Sequence, residues 1–467
     1  MKRVPPRTFG ALLTRALTVA LVPALFAIGC SESNPAEPAG KKVSDYDADV
    51  ATAWFSLQLD LVQNSPGFSP PVASRAFGYS GVALYQSLLG GMPDSKTLEG
   101  QLNGLSADAI PDADANADYH WPSVANAALA RITTHLYADA NSSKPDQVAK
   151  INALQTQFVT EFSGEAEDAV LNRSIAYGQA VADAVFEWSK GDGGHQGYLT
   201  NFPSTYVPPT GKGLWVPTPR RGGAPQSALQ PYWGNNRPFV LNPSNPNDLS
   251  EPGAPPAYSE EVSSDFYKEA NEVYTTLQSV TAEEDEIARY WADDPGATST
   301  PPGHSISILN QCLALENKKL DFAASAYAQA GMAVADAFIG CWESKYKYNL
   351  VRPITYITDV IDPDYDYNDL PVNTPPFPEY TSGHSVQSGA AAAVLNGLFG
   401  TSFSFTDHTH DGLGYSARSF SSFDEAADEA AISRLYGGIH YRAAIERGVL
   451  QGKKIGDQVR TKIQWKN

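Results

Sequence analysis

The run from Val386 to Phe399, VQSGAAAAVLNGLF, has no charge and no proline and is built mostly from small and apolar residues. A segment of this kind reads as a buried helix, so the chain must supply other helices to cover it. Pro375, Pro376 and Pro378 stop anything helical ahead of it. Ser382 is a suitable N-cap, and Gly383 has no side chain to keep a ligand from its amide. His384 falls in the first turn. The free N–H groups and partial positive charge of a helix N-terminus favour anions there.

Helical patterns dominate the rest. DADVATAWFSLQLDLVQ and PPVASRAFGYSGVALYQSLLGG predict an opening pair, followed by WPSVANAALARITTHLYA, PDQVAKINALQTQFVTEF and a long amphipathic stretch that stops at GDGG. From His195 to about Tyr258 the chain is rich in Pro, Gly, Asn and Trp, and a loop of that length is usually functional or laid over a surface. Helices resume with SEEVSSDFYKEANEVYTTLQ and TAEEDEIARYWADD, then two more up to Asn349, an irregular crossing segment, and two closing helices from Val386 and about Asp424. No strand alternation and no fixed-period repeat is visible. The expected fold is all-α, with helices packed as one or two four-helix-type bundles joined by long irregular loops. We divide the chain into residues 1–29, 30–43, an N-terminal helical region at 44–254 and a C-terminal helical region at 255–467 that carries the site.

The first 29 residues have a basic start, an apolar stretch and small residues before Cys30, the pattern of an export signal. Ala27-Ile28-Gly29-Cys30 resembles a bacterial lipobox, with Ala27 where leucine is more usual. That resemblance implies a lipid anchor on Cys30, a flexible tether after it, and, with Ser31 next, the outer membrane, on its periplasmic or cell-surface side. An ordinary signal peptide cut nearby is the alternative. No internal apolar run approaches the ~18–20 residues needed to span a bilayer, so membrane contact is expected only through this anchor. Losing Lys2, Arg3, Arg7 and Arg15 takes the formal charge from −19 to −23, which disfavours nucleic acid as a partner and makes any basic cluster informative. Cys312 and Cys341 remain, too few for a metal cluster, and could pair in an oxidising compartment.

Two further stretches give His384 companions. In KYKYNLVRP, Lys345 and Arg352 are seven apart, about 20° from each other on a continuous helix that Pro353 would end. In SRLYGGIHYRAAIERG, Ser433 and His440 have the same spacing, and Arg434 adds a long cationic side chain. Lys345, Arg352, Arg434, Ser382, the Gly383 amide and two histidines are what a tetrahedral oxoanion needs: arginine forks bind its oxygens in pairs and lysine adds a point charge.

Lys-x6-Arg-Pro, Ser-Gly-His and Ser-Arg-x5-His together resemble the three-part signature shared by type-2 phosphatidic acid phosphatases and vanadium-dependent haloperoxidases, with Thr381 where that family usually has proline. A looser likeness to bacterial haloperoxidases extends back through YWADDPGATSTPPGHSISILNQ. The haloperoxidase branch implies vanadate as cofactor, with His440 as its metal ligand. Lys345, Arg352, Ser382, Gly383 and Arg434 then neutralise its oxygens, and His384 acts as acid–base. Hydrogen peroxide and a halide, iodide or bromide being easier to oxidise than chloride, are the implied substrates, with an organic acceptor for the halogenating product. Lys345 is expected to draw charge from the peroxide. Trp342 and Phe377 are similar to aromatic positions beside the halide site, with core packing as the alternative, and Asp294 resembles an acid that braces a vanadate-binding arginine. Should the chain oligomerise, a homodimer is expected.

The phosphatase branch would make His440 a phosphohistidine nucleophile and His384 the leaving-group acid. That pattern places an aspartate four residues after the histidine, and this chain has Ala444. A non-catalytic anion-binding lipoprotein would explain the pocket but leave two histidines without a role. In DHTHDG, His408 and His410 flanked by Asp407 and Asp411 offer a divalent-metal site or a polar turn, and His304 in TPPGHS offers a pocket wall or a loop role.

Overall fold

The computed structural model describes residues 40–219, 223–242, 245 and 251–467. The expected export signal, the Cys30 anchor and the tether up to Ala39 lie outside the described residues. Shortly after Ala39, Val43 is fully buried and the Lys41 carbonyl accepts from the Trp121 indole at 3.0 Å.

The architecture is helical, as the residue pattern requires. The first five helices are α1 (Asp49–Asn64), α2 (Pro70–Leu88), α3 (Trp121–Tyr137), α4 (Pro145–Glu161) and α5 (Asp168–Ser189). After the long loop come α6 (Asp265–Ser279), α7 (Ala282–Tyr290), α8 (Thr300–Leu315) and the 29-residue α9 (Leu320–Tyr348). The chain closes with the short α10 (Pro353–Tyr356), α11 (Gly383–Phe399), α12 (Phe423–Tyr436) and α13 (Arg442–Lys462). Among the described residues no helix is long and apolar enough to cross a membrane.

Two close helix pairs set the frame. α2 lies against α9, where a Cβ on Gly81 would come within 2.5 Å of the Tyr327 carbonyl, so the two backbones touch. The Ala-rich α11 is covered by α13, α9, α12 and α8. Across its face with α13, a Cβ at Gly452 or Gly456 would run into the Val386 and Ala390 carbonyls. Small residues on both helices let them approach to backbone contact, which buries α11 without bulky side chains.

Four details differ from the sequence reading. α9 ends at Tyr348 on Asn349 in the left-handed region (φ 45°), so Lys345 and Arg352 do not share a continuous helix. The closing segment after α11 is two helices, because α12 stops at Tyr436 and the chain turns through Gly438 at φ 73° before α13. A short hairpin, β1 (Phe405–Asp407) with β2 (Arg418–Phe420), is present, and its three-residue strands are too brief to show alternation. Cys312 and Cys341 are both buried free thiols.

Candidate active site

Ser382 caps α11 as expected, its hydroxyl accepting from the Ser385 amide at 3.3 Å, with Gly383 first in the helix and His384 next. The turn leading into the helix is held by Lys345. The Lys345 ammonium, fully buried at the end of α9, donates to the carbonyls of Pro378 (3.1 Å), Glu379 (3.0 Å) and Thr381 (2.5 Å). Its three protons are thus all engaged, and what it offers the pocket in this arrangement is charge. Burial, with Arg352 nearby, lowers it to about 7.

Arg352 bonds the start of the same turn. It sits at the N-cap of α10, fully buried, giving Nε to the Phe377 carbonyl (2.9 Å) and Nη1 to the Ile439 carbonyl (2.8 Å). Nη1 also lies 3.2 Å from His440 Nε2. Guanidinium only donates, so Nε2 of His440 carries the lone pair and Nδ1 carries the proton. Nδ1 accordingly meets Glu379 Oε1 at 2.8 Å, and the same oxygen accepts from the Tyr441 amide at 2.8 Å.

Glu379 is the functional residue that the sequence reading missed. It lies 61 residues before His440. The signal that could have found it was its place inside PEYTSGH, three residues ahead of the cap, in a turn that Lys345 fixes. It also answers the argument from Ala444: the carboxylate that orients His440 comes from this turn, so the lack of an acid after the histidine says nothing against either branch. Burial raises Glu379 to about 8 against the pull of Arg352, the Tyr441 amide and Lys345.

Arg434, in the last turn of α12, gives Nε to the Ser433 hydroxyl (2.9 Å) and one terminal nitrogen to the Ala288 carbonyl (2.8 Å). It lines a cavity of about 600 Å³ together with Phe68, Leu229, Asp294, Phe377 and His384. Burial lowers both Arg352 and Arg434 to about 10, so both stay charged at neutral pH. Burial and Arg434 hold His384 well below the usual histidine range, and burial followed by Arg352 and Lys345 does the same for His440. Trp342 and Phe377 pack ring to ring at 5.0 Å, with Lys345 4.9 Å from the centre of the Phe377 ring. The Trp342 indole is buried and donates to the Leu229 carbonyl at 3.2 Å, whereas Phe377 reaches the cavity.

The structure therefore brings Lys345, Arg352, Ser382, Gly383, His384, Arg434 and His440 together from α9, α10, α11, α12 and the α12–α13 turn. Asp294 is exposed on the cavity wall, and its charge acts on Arg434 behind that of the buried Asp293. The DHTHDG residues divide: His408 pairs with Asp411 at the surface (2.9 Å), while Asp407 and His410 are buried in one cluster with Asp293 and His304, His410 lying 3.0 Å from Asp293 and Asp407 2.7 Å from His304. His304 lies neither on the pocket wall nor in a loop. It is buried in α8 between two carboxylates.

Arg352 Nη2 and His384 Nε2 are both buried without a hydrogen-bond partner. Glu379 Oε2 and Ser385 Oγ nearby are likewise without a partner, and two unsatisfied nitrogens beside three buried cations fit a tetrahedral oxoanion.

Residues 325–466 match the model of the VCPO second helical-bundle domain. The vanadium chloroperoxidase of Curvularia inaequalis is 24% identical over 423 residues, spanning 76% of this chain and 67% of that protein. The structure of a bacterial vanadium-dependent iodoperoxidase is 39% identical, covers 90% of this chain and 98% of its own, and superposes with a TM-score of 0.79. A holo-type bacterial vanadium-dependent chloroperoxidase, 16% identical over 86% of this chain and 93% of its own, shares the fold with a TM-score of 0.62.

Proposed function

The chain belongs to the vanadium-dependent haloperoxidases, and on that basis we propose that iodide is its preferred halide and that the pocket built around His440 and His384 is the site of oxidation. As a member of that family it is a peroxidase-type oxidoreductase. It uses vanadate as cofactor and hydrogen peroxide and halide as substrates. Iodide is supported by the 39% identity to an iodoperoxidase and by the ease with which iodide gives up electrons.

The observation that carries the site assignment is the set of three buried cations around two orphaned nitrogens, Arg352 Nη2 and His384 Nε2. The residues present fit vanadate, which supplies a Lewis-acidic centre that activates peroxide toward the halide. His440 offers its Nε2 lone pair as the metal ligand, because Glu379 keeps the proton on Nδ1. Arg352 and Arg434 bind and neutralise oxyanion charge, Lys345 adds a buried positive charge, and Ser382 with the Gly383 amide completes the cradle. His384 is neutral in this environment, so its Nε2 would take a proton from hydrogen peroxide entering the pocket and could return it. Phe377 supplies an apolar stretch of the cavity wall beside Lys345 and packs on the buried Trp342. A lipid anchor at Cys30 and outer-membrane residence belong to the same proposal, and mass spectrometry of the mature N-terminus checks them.

The test is peroxide-dependent oxidation of iodide, bromide and chloride by the mature protein, with and without orthovanadate, alongside His440→Ala. Vanadate-dependent oxidation with iodide fastest, lost in the variant, is the expected result. Hydrolysis of a phosphate monoester blocked by vanadate, with no halide oxidation, would assign the pocket to phosphoryl transfer.

A further inference from the structure

Asp293, whose charge acts on Arg434, belongs to a second buried charge cluster to which no part of the site above assigns a role. His304 Nδ1 is 2.9 Å from Asp293 Oδ2, and His304 Nε2 is 2.7 Å from Asp407 Oδ2. Ionised carboxylates only accept, so both ring nitrogens must donate and the ring is an imidazolium. Burial alone would neutralise it, but Asp293 and then Asp407 override that effect and hold it at about 10. The Trp291 ring stacks on it at 4.4 Å and 16°, a contact that favours the cation.

The remaining acceptors are also occupied. Asp407 accepts from the Tyr290 hydroxyl (2.8 Å) at Oδ2 and from the Thr409 hydroxyl (2.6 Å) at Oδ1. Asp293 Oδ1 faces His410 Nε2 at 3.0 Å. Both oxygens of Asp293 are therefore held by histidines, although Asp293 is the leading charge acting on Arg434. Arg434 itself donates to the Ser433 hydroxyl and the Ala288 carbonyl. Two carboxylates, one imidazolium and one guanidinium leave the group neutral.

We infer that His304 is a positioning residue for the oxoanion pocket: its fixed positive charge keeps the Asp293 carboxylate engaged and leaves the charge of Arg434 available to the bound oxoanion. This rests on the assignment of Arg434 to the vanadate pocket. Taking the cation away turns Asp293 into a competitor for Arg434. Taking the anion away has the opposite effect.

The experiment is equilibrium binding of orthovanadate to the vanadate-free full chain at fixed pH and salt, for wild type, His304→Gln, Asp293→Asn and the double variant. His304→Gln is expected to weaken binding about tenfold or more, the size typical of residues that orient metal-site ligands. Asp293→Asn is expected to tighten it, and the double variant to return within about threefold of wild type, since charges of opposite sign are removed together. A role in packing alone would weaken the double variant at least as much as either single one, and that result overturns the inference. If His304→Gln does not fold, Asp293→Asn decides: tighter binding supports the inference and weaker binding overturns it. ¹⁵N NMR supplies an independent readout, with two protonated ring nitrogens expected on His304 between pH 6 and 8. The ligand atoms of Asp293, His304 and His410 lie within 4.8 Å of one another, so metal content is measured too. A stoichiometric divalent ion on His304 Nδ1 overturns the inference, because that nitrogen cannot both ligate and donate. Wild type that binds no vanadate overturns the pocket and the inference with it, whereas wild-type affinity in His304→Gln overturns the inference alone.

Discussion

Glu379 Oε1 lies 2.8 Å from His440 Nδ1, and Arg352 Nη1 lies 3.2 Å from the opposite nitrogen of the same ring. A buried carboxyl group and a donor-only guanidinium on either side of one imidazole leave a single sensible tautomer, with the proton on Nδ1 and the lone pair on Nε2, where Arg352 donates in this structure.

Glu379→Ala is expected to weaken vanadate binding by about 10–100-fold, because the ring loses the acceptor that fixes its proton on Nδ1. Glu379→Gln keeps an oxygen that can accept from both Nδ1 and the Tyr441 amide, so it should fall between wild type and Ala. Titration of vanadate-free protein with orthovanadate, read as recovered iodide oxidation, checks both. Equal affinity in the Ala variant and wild type would remove Glu379 from the site.

Lys345 carries the expected pH dependence. With its ammonium lowered to about 7 by burial, it is charged below that pH and neutral above it. Oxoanion affinity of the wild type should therefore fall as pH rises through 7. Lys345→Met, which is uncharged throughout, should bind more weakly at pH 6 and show a shallower decline. The two curves, measured with orthovanadate from pH 6 to 9, share the ionisation of the anion itself, so their difference reports the lysine.

Gly452 marks the contact on which the site's helix rests. A Cβ there would meet the Val386 carbonyl, one turn into α11. Gly452→Ala should cost about 1–3 kcal/mol in urea unfolding, since backbone against backbone cannot yield as a flexible side chain can. Displacement of α11 also moves Ser382–His384, so activity should drop in the fraction that remains folded. An Ala variant of wild-type stability would mean that the helices lie farther apart than described.

Asp336 ties the long loop to the core. Buried in α9, it accepts from the amides of Phe239 (2.6 Å), Val240 (2.9 Å) and Leu241 (3.2 Å). Asp336→Ala strands three buried donors and should destabilise by about 2–5 kcal/mol, with hydrogen exchange rising first at 239–241. A variant within about 0.5 kcal/mol of wild type would show that water replaces the carboxylate there.

The residues themselves determined a great deal. Helix positions followed from apolar spacing and from proline and glycine stops, and the Ser382 cap followed from side-chain chemistry that acts over three residues. The set Lys345, Arg352, Ser382, Gly383, His384, Arg434 and His440 could be named as candidates because cations, a cap and histidines in three short motifs suit an oxoanion and resemble a family signature. How they meet was not legible. Lys345 and Arg352 share no helix: Asn349 ends α9, and the two side chains bond different carbonyls of the 377–381 turn. Glu379 and His440 are far apart in sequence, as are His304 and Asp407, 103 residues apart. Local pattern cannot announce such pairs, because burial alone makes them matter. A carboxylate beside an imidazole is one of many polar pairs in an extended chain. Once closed helix packing has removed water, it must find its partner, and only the tertiary structure decides which one.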